Sequence, residues 1–231
     1  RQHKGGGSRC KAAWRLIWKG VWVMAITYPR DLLAHTGMAS IEFRAINSVA
    51  YSRSPFTFSG QAHEYSGKAW QADVTLPPMK RESAEQWIAW LISLKGQFGT
   101  FYLGDPNAAL PMGSARDNDT ILVNGAVSSG NTINIDSAPV SQSGYLKAGD
   151  YMQIGTGTNK QLFKVLADVT TSGAGAATVD VWPNVRASIA NNAPVTVEAA
   201  QGVFRLASNE QSFSINSAAT YGLVFGAVEA I

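Results

Sequence analysis

The chain has 231 residues, enough for one large or two small domains with real cores, and combines an ordinary apolar share of 45% with a low charged share of 15%. Its net charge of +3 is misleading: Arg1, Lys4, Arg9, Lys11, Arg15 and Lys19 precede Met24 with no acid among them, so the other 13 basic residues face 16 acidic ones, a net charge of −3. That balance argues against nucleic-acid binding, the single Cys10 excludes an intrachain disulfide framework or a Cys-based zinc site, and no apolar run reaches transmembrane length.

Residues 1–23 lack the shape of a signal peptide, because Arg15 and Lys19 interrupt the apolar positions. Trp14, Leu16, Ile17, Trp18 and Trp22 among cations would suit an amphipathic surface helix. A simpler reading is a leader that is non-native or disordered. Lys19-Gly20-Val21 can be encoded by a purine-rich ribosome-binding site, and Met24 follows at a suitable distance as a natural start.

Tyr28-Pro29-Arg30 reads as a short extended segment. Ile41, Phe43 and Ala45 alternate with Glu42, Arg44 and Ile46, the period of a strand that Ser54-Pro55 ends. Phe56-Thr57-Phe58 and Gln61 to Tyr65 predict another strand, with Ser66-Gly67-Lys68 as a hairpin turn. Trp70, Ala72, Val74 and Leu76 then share one strand face, opposite Gln71, Asp73 and Thr75.

Pro77 and Pro78 end that strand, since neither can donate to a ladder. A single long helix follows. Ala84, Trp87, Ile88, Leu91 and Leu94 fall on one helical face, and Trp90 and Ile92 widen it, so the face is expected to be buried. Ser83 with Gln86 has capping-box spacing, while Lys80-Arg81-Glu82 could be a first turn instead. Gly96 suits a left-handed cap, with Lys95 as a cation in the last turn. Thr100 to Leu103 is a strand that Gly104-Asp105-Pro106 closes. The framework is expected to depend on Trp70, Pro77, Pro78, Trp87, Ile88, Leu91, Gly96, Gly104 and Asp105.

Residues 107–119 are a loop. Six short strand signals follow: 120–123, 132–135, 151–154, 161–166, 178–181 and 195–197, separated by Gly- and Ser-rich turns. They predict a small barrel or sandwich. Strand character returns at 202–206, 212–215 and 221–228.

Catalytic chemistry finds little support. His35 and His63 lack further ligands at metal spacing, and no Gly-x-Ser-x-Gly is present. Glu82 and Glu85 suit the first helical turn, and Asp105 and Asp150 sit beside glycines in turns. Gly155-Thr156-Gly157 lacks the rest of a phosphate loop and reads as a hairpin turn. Trp87 has core spacing, which leaves Trp182, before Pro183, as the candidate for an exposed aromatic.

Residues 70–106, with their strand, Pro-Pro, helix, Gly-x-Phe-Gly-Thr-Phe and Gly-Asp-Pro order, and residues 146–186 resemble tail proteins of long-tailed bacteriophages and prophages. The resemblance covers most of the chain after Met24 and is to the distal tail proteins that join tail tube to tip. It implies a mainly β chain: a tail-tube-like β-sandwich or split barrel with one packed α-helix, plus an inserted small β-barrel or β-sandwich. The expected division is 24–106 with 198–231 as a ring-forming unit and 107–197 as the insertion. The resemblance implies no catalytic residues, cofactor or metal. Its implied partners are further copies in a closed, hexameric ring, the tail tube protein and the hub or baseplate proteins. Nucleic-acid specificity and membrane insertion are not expected. The implied location is the virion, at the distal end of the tail. Rival readings are a carbohydrate-binding or host-recognition module, another minor tail protein, and a cell-wall enzyme.

If Met24 is the natural start, mass spectrometry of protein from native particles will place the N-terminus at Met24 or Ala25. Peptides spanning Arg15 to Trp22 in that material would refute it.

Overall fold

The computed structural model describes residues 26–33, 37–215 and 219–230. The expectations for the leader, Met24 and His35 lie outside these residues. The described residues are mainly β with one α-helix, in two sheets.

The first sheet has seven strands. β1 (Ser40–Arg53) and β2 (Gly60–Thr75) form a long antiparallel ribbon. β2 pairs with β13 (Thr220–Glu229), β13 with β11 (Gly202–Leu206), and β11 with β4 (Thr100–Leu103). β3 (Met79–Lys80) and β12 (Phe213–Ile215) both pair with the start of β13. Arg30 covers the outer edge of β4, with its N–H on the Thr100 carbonyl at 2.9 Å and its carbonyl receiving the Tyr102 N–H at 2.9 Å.

The alternation along β2 sets its buried face. Trp70, Ala72, Val74 and Leu76 are buried, and the residues between them are half-exposed. The ladder ends at Thr75, and Pro77 and Pro78 turn the chain into β3. α1 (Arg81–Ser93) begins at once, with Lys80 as an extended N-cap that offers no side-chain cap. The polar run is therefore the first turn, and Ser83 lies inside the helix. At the other end Leu94 is the C-cap, and Lys95 (φ +53°) already takes the left-handed position expected of Gly96. Gly96 is a second left-handed residue (φ +65°), and a Cβ there would stand 2.7 Å from Asn209 Oδ1. Lys95 lies past the helix, whose last turn holds no cation.

Ala84, Trp87, Ile88, Trp90, Leu91 and Leu94 are buried as expected, but Ile92 is 63% exposed. With Trp90 and Leu91 turned inward, Ile92 rotates off the buried arc. Under the helix, Trp87, Trp90, Phe101 and Phe225 pack edge to face or tilted, with centroids 5.2–6.4 Å apart. Tyr28 and Asp31 strap the helix end, through the Tyr28 hydroxyl on the Ser93 carbonyl (2.5 Å) and Trp90 Nε1 on the Asp31 carbonyl (3.0 Å).

The Ser66-Gly67-Lys68 turn is not there. β2 runs through these residues, and the hairpin turn is 54–59. Asn47 pairs with Lys68 and Val49 with Glu64, so Ser48 alone stands opposite three residues of β2. Ser66-Gly67 is thus a bulge, and Phe56-Thr57-Phe58 is turn rather than strand.

All six short strands appear, in one sheet ordered β10-β7-β8-β9-β6-β5. They are β5 (Leu122–Val123), β6 (Thr132–Asp136), β7 (Tyr151–Ile154), β8 (Gln161–Val165), β9 (Ala177–Trp182) and β10 (Val195–Thr196). A bridge between Leu122 and Pro194 brings the two end strands together into a barrel. Its interior is lined by Ile133, Ile135, Met152, Phe163, Val179 and Val181. Asp150, expected to bond its own turn, does more: its carboxylate receives the N–H groups of Met112 (2.7 Å), Gly113 (3.1 Å) and Lys147 (2.8 Å) and ties the preceding loop to the barrel.

Trp87 Nε1 is buried with no acceptor among the described residues. Trp87→Ala should destabilise by about 3–5 kcal/mol through the cavity left behind. Trp87→Phe removes the orphan donor and should cost within about 1 kcal/mol, because an unmet buried donor is itself worth about 1–3 kcal/mol. Chemical denaturation of both variants checks this, and equal losses would refute it.

Candidate functional site

His63 is exposed and lies edge-on to Tyr65 at 4.7 Å. Among the described residues, no group of three or more His, Cys, Asp or Glu could hold a metal ion. No helix there is long and apolar enough to cross a membrane. A groove of about 450 Å3 beside β7 and β10 is lined by amides, hydroxyls and small apolar residues, with no acid or base among its lining residues.

The residues singled out from the sequence fall into separate structural places. Trp87, Ile88 and Leu91 sit together under α1. Pro77 and Pro78 form the corner before it, and Gly96 follows it. Gly104 lies against the Ala200 carbonyl, where a Cβ would approach to 2.2 Å. Asp105 caps the next turn by accepting the Asn107 N–H at 2.9 Å. Trp70 lies elsewhere, where the two sheets meet.

That joint is built from side chains of both sheets. Tyr151 and Leu162, from barrel strands, belong to the core of the first sheet. Trp70 Nε1 donates to the Leu162 carbonyl at 3.0 Å. Trp182 was expected to be exposed; instead it packs edge-on to Trp70 at 4.4 Å and donates its Nε1 to Asn47 Oδ1 at 2.8 Å. An aromatic ring at the end of a strand can be partly covered by the neighbouring sheet, which local sequence does not reveal. Arg186 makes a two-pronged ion pair with buried Glu229, which also accepts the Trp70 N–H at 2.9 Å. Arg186 Nη1 reaches the Lys68 carbonyl at 3.3 Å as well. Burial pushes the Glu229 carboxyl above its ordinary range, against the opposing pull of Arg186 and the Trp70 N–H.

Lys68, Asn47 and Trp70 mark the root of an arm. β13 ends at Glu229, but β1 and β2 continue past it, pairing with each other alone from Val49–Glu64 to Arg53–Gly60. The Ser54 N–H donates to the Ser59 carbonyl at 2.9 Å to close the turn, and the Arg53 guanidinium lies 4.7 Å over the Phe58 ring. The arm is low in charge and exposed, with several open aromatic side chains. Phe56 is 91% exposed and Phe58 66%, with Ile46, Val49, Tyr51 and Tyr65 also open. Val49 and Tyr51 share one face with Ala62 and Glu64, whereas Tyr65 rests on His63 on the other. Residues 46–67 carry one Arg and one Glu, apart from His63. The outer edge of β1 pairs with no strand among the described residues.

A two-stranded ribbon by itself is marginal in water, and a long, apolar, unpaired edge invites a partner. Sequence reading missed the arm by placing the turn at 66–68. The signal was the unbroken strand pattern up to Arg53, with Ser54-Pro55 and Ser59-Gly60 bounding a turn.

Searches for known relatives found that no family model matches the chain and no curated protein matches it.

Removing Arg186 leaves Glu229 buried without its cation, so Arg186→Ala should destabilise by about 3–5 kcal/mol at neutral pH. Since the folded carboxyl then titrates still further above the unfolded one, the loss grows as pH rises through the range above 4.5 and fades below it. Denaturant titrations over a pH series test this, and Glu229→Gln added to the variant should flatten the profile. Parallel profiles for variant and parent would refute it.

Proposed function

We propose that the chain is a structural protein of a phage tail tip: a ring-forming adaptor that joins the tail tube to the distal hub or baseplate and supports host attachment. The observation that carries this reading is the projecting arm, a low-charge ribbon with aromatic residues open on both faces and an unpaired edge. Such a surface binds protein. The work is done by contacts, with no reacting group, cofactor or metal involved. The arm and the free edge of β1 serve the contact with further copies in a closed, hexameric ring. The strand, Pro-Pro, helix and Gly-Asp-Pro order along 70–106 supports the tail assignment, since it resembles distal tail proteins.

The test is the mass of the native chain by light scattering and electron microscopy of the particles formed. A ring of uniform size at micromolar concentration supports the reading. A strict monomer at all concentrations overturns it. Within a ring, Val49→Lys with Tyr51→Asp should weaken association by about 1,000-fold, as expected for losing two buried anchors, each worth about 2 kcal/mol. The melting curve of the dissociated chain should be unchanged, because both residues are exposed.

A further inference from the structure

The molecule carries a second exposed apolar site, at the other end of the first sheet. Between α1 and β12 lies a shallow groove of about 60 Å3, walled by Ile88, Leu91, Ile92, Phe213 and Leu223, with Gln211 and Ser212 at the rim. Ile92 is 63% exposed and Phe213 48%. β12 and β3 pair with residues 220–223 of β13, whereas the arm departs beyond Glu229. Groove and arm therefore lie at opposite ends of the same strand, and the tip of an arm cannot reach the groove of its own chain.

We propose that the tip of the arm, Phe56 and Phe58, seats in the α1–β12 groove of a second copy. This rests on the reading that the chain assembles with itself, and it names the two surfaces that meet. The chemistry of the two matches. The tip presents two phenyl rings, with Phe56 the most exposed large apolar side chain of the arm, and the groove presents branched aliphatic side chains and one phenyl ring. The charges match as well. The only formal cation of the distal arm is Arg53, beside Phe58. Glu85 lies on the same helical stripe as Ile88 and Ile92, three and seven residues on, and its existing ion pair with Arg81 is long at 3.5 Å and exposed. A seated tip brings Arg53 to Glu85 while burying Phe56 against Ile92. A projection at one end and its seat at the other make a head-to-tail contact, which closes into a ring when the rotation between copies permits.

The experiment uses the full chain with Cys10→Ser. One protein carries Phe56→Cys, a second Ile92→Cys and a third both. Mixing the two single variants under mild oxidation should give a disulfide-linked dimer of one of each, identified by peptide mass. The yield should be on the order of tenfold above a mixture in which Ser129→Cys, on an exposed barrel loop, replaces Ile92→Cys, because only a seated tip raises the local thiol concentration. The double variant should give a ladder of covalent oligomers that ends at the ring. Products no larger than a dimer would overturn the head-to-tail arrangement in favour of a reciprocal pair. A yield no higher than the Ser129 control, in a chain that light scattering shows to be oligomeric, would overturn the proposed contact and leave the assembly reading standing. A monomer by light scattering with no cross-link would overturn both.

Discussion

Glu229 is a carboxylate buried at the end of β13, and both sheets meet around the cost of burying it. An ion of this kind stays in the interior only with a cation and well-placed donors. Arg186, from the loop after β9, supplies the cation, and the Trp70 N–H of β2 supplies a further donor. Arg186 is thereby also placed to reach the Lys68 carbonyl. A single ion pair so fixes β13, β2 and the barrel relative to one another. A buried pair of this type commonly gains little net stability over an apolar substitute. Trp70 and Trp182 pack edge-on beside this pair.

The arm depends on that joint. Beyond Glu229, β1 and β2 have no third strand among the described residues to hold them, and the bulge at Ser66-Gly67, opposite Ser48, increases their twist where they leave the sheet. A bulged ribbon would swing about this point if its root were free. Three contacts hold it: Asn47 to Trp182, Lys68 to Arg186, and the Trp70 N–H to Glu229. Two of the three contacts come from the barrel side, although every residue of the arm belongs to the first sheet. Aromatic groups at its tip are then presented at a fixed position, which reduces the ordering cost of any contact they make.

What the sequence made legible follows from how local each signal is. The helix, the Pro-Pro corner and the six barrel strands could be read because their periodicity and breakers lie within a few residues of each other. Gly104 and Asp105 were read as a turn from the same local chemistry. The errors arose where distant parts of the chain decide. Ile92 belongs to an apolar run in sequence, but the inward turn of Trp90 puts it on the outside. Ser66-Gly67 has turn composition, yet pairing with β1 draws it into a strand as a bulge. Trp182 looks free beside Pro183, and only the approach of Trp70 covers it. The arm was the largest omission for the same reason: it is defined by where β13 stops, more than 150 residues away in the chain.

The barrel strands lie in the chain between β4 and β11 of the first sheet. The ends of the segment lie side by side, with the Ala199 N–H on the Ala109 carbonyl at 2.8 Å and Asp117 Oδ1 receiving the Val197 and Glu198 N–H groups at 2.7 and 3.1 Å. On that ground alone the segment could be added to or taken from the first sheet without stretching it. The interior says otherwise. Tyr151 and Leu162 complete the core around Phe43, Trp70 and Phe204, so the barrel shields apolar surface of the first sheet as well as filling its own interior. Gly202 lets β11 run close beneath it, since a Cβ there would stand 3.0 Å from Leu162 Cβ. A surface of that kind gives the two sheets a shared stability, and a change that loosens the barrel is transmitted first to Trp70 and from there to the root of the arm.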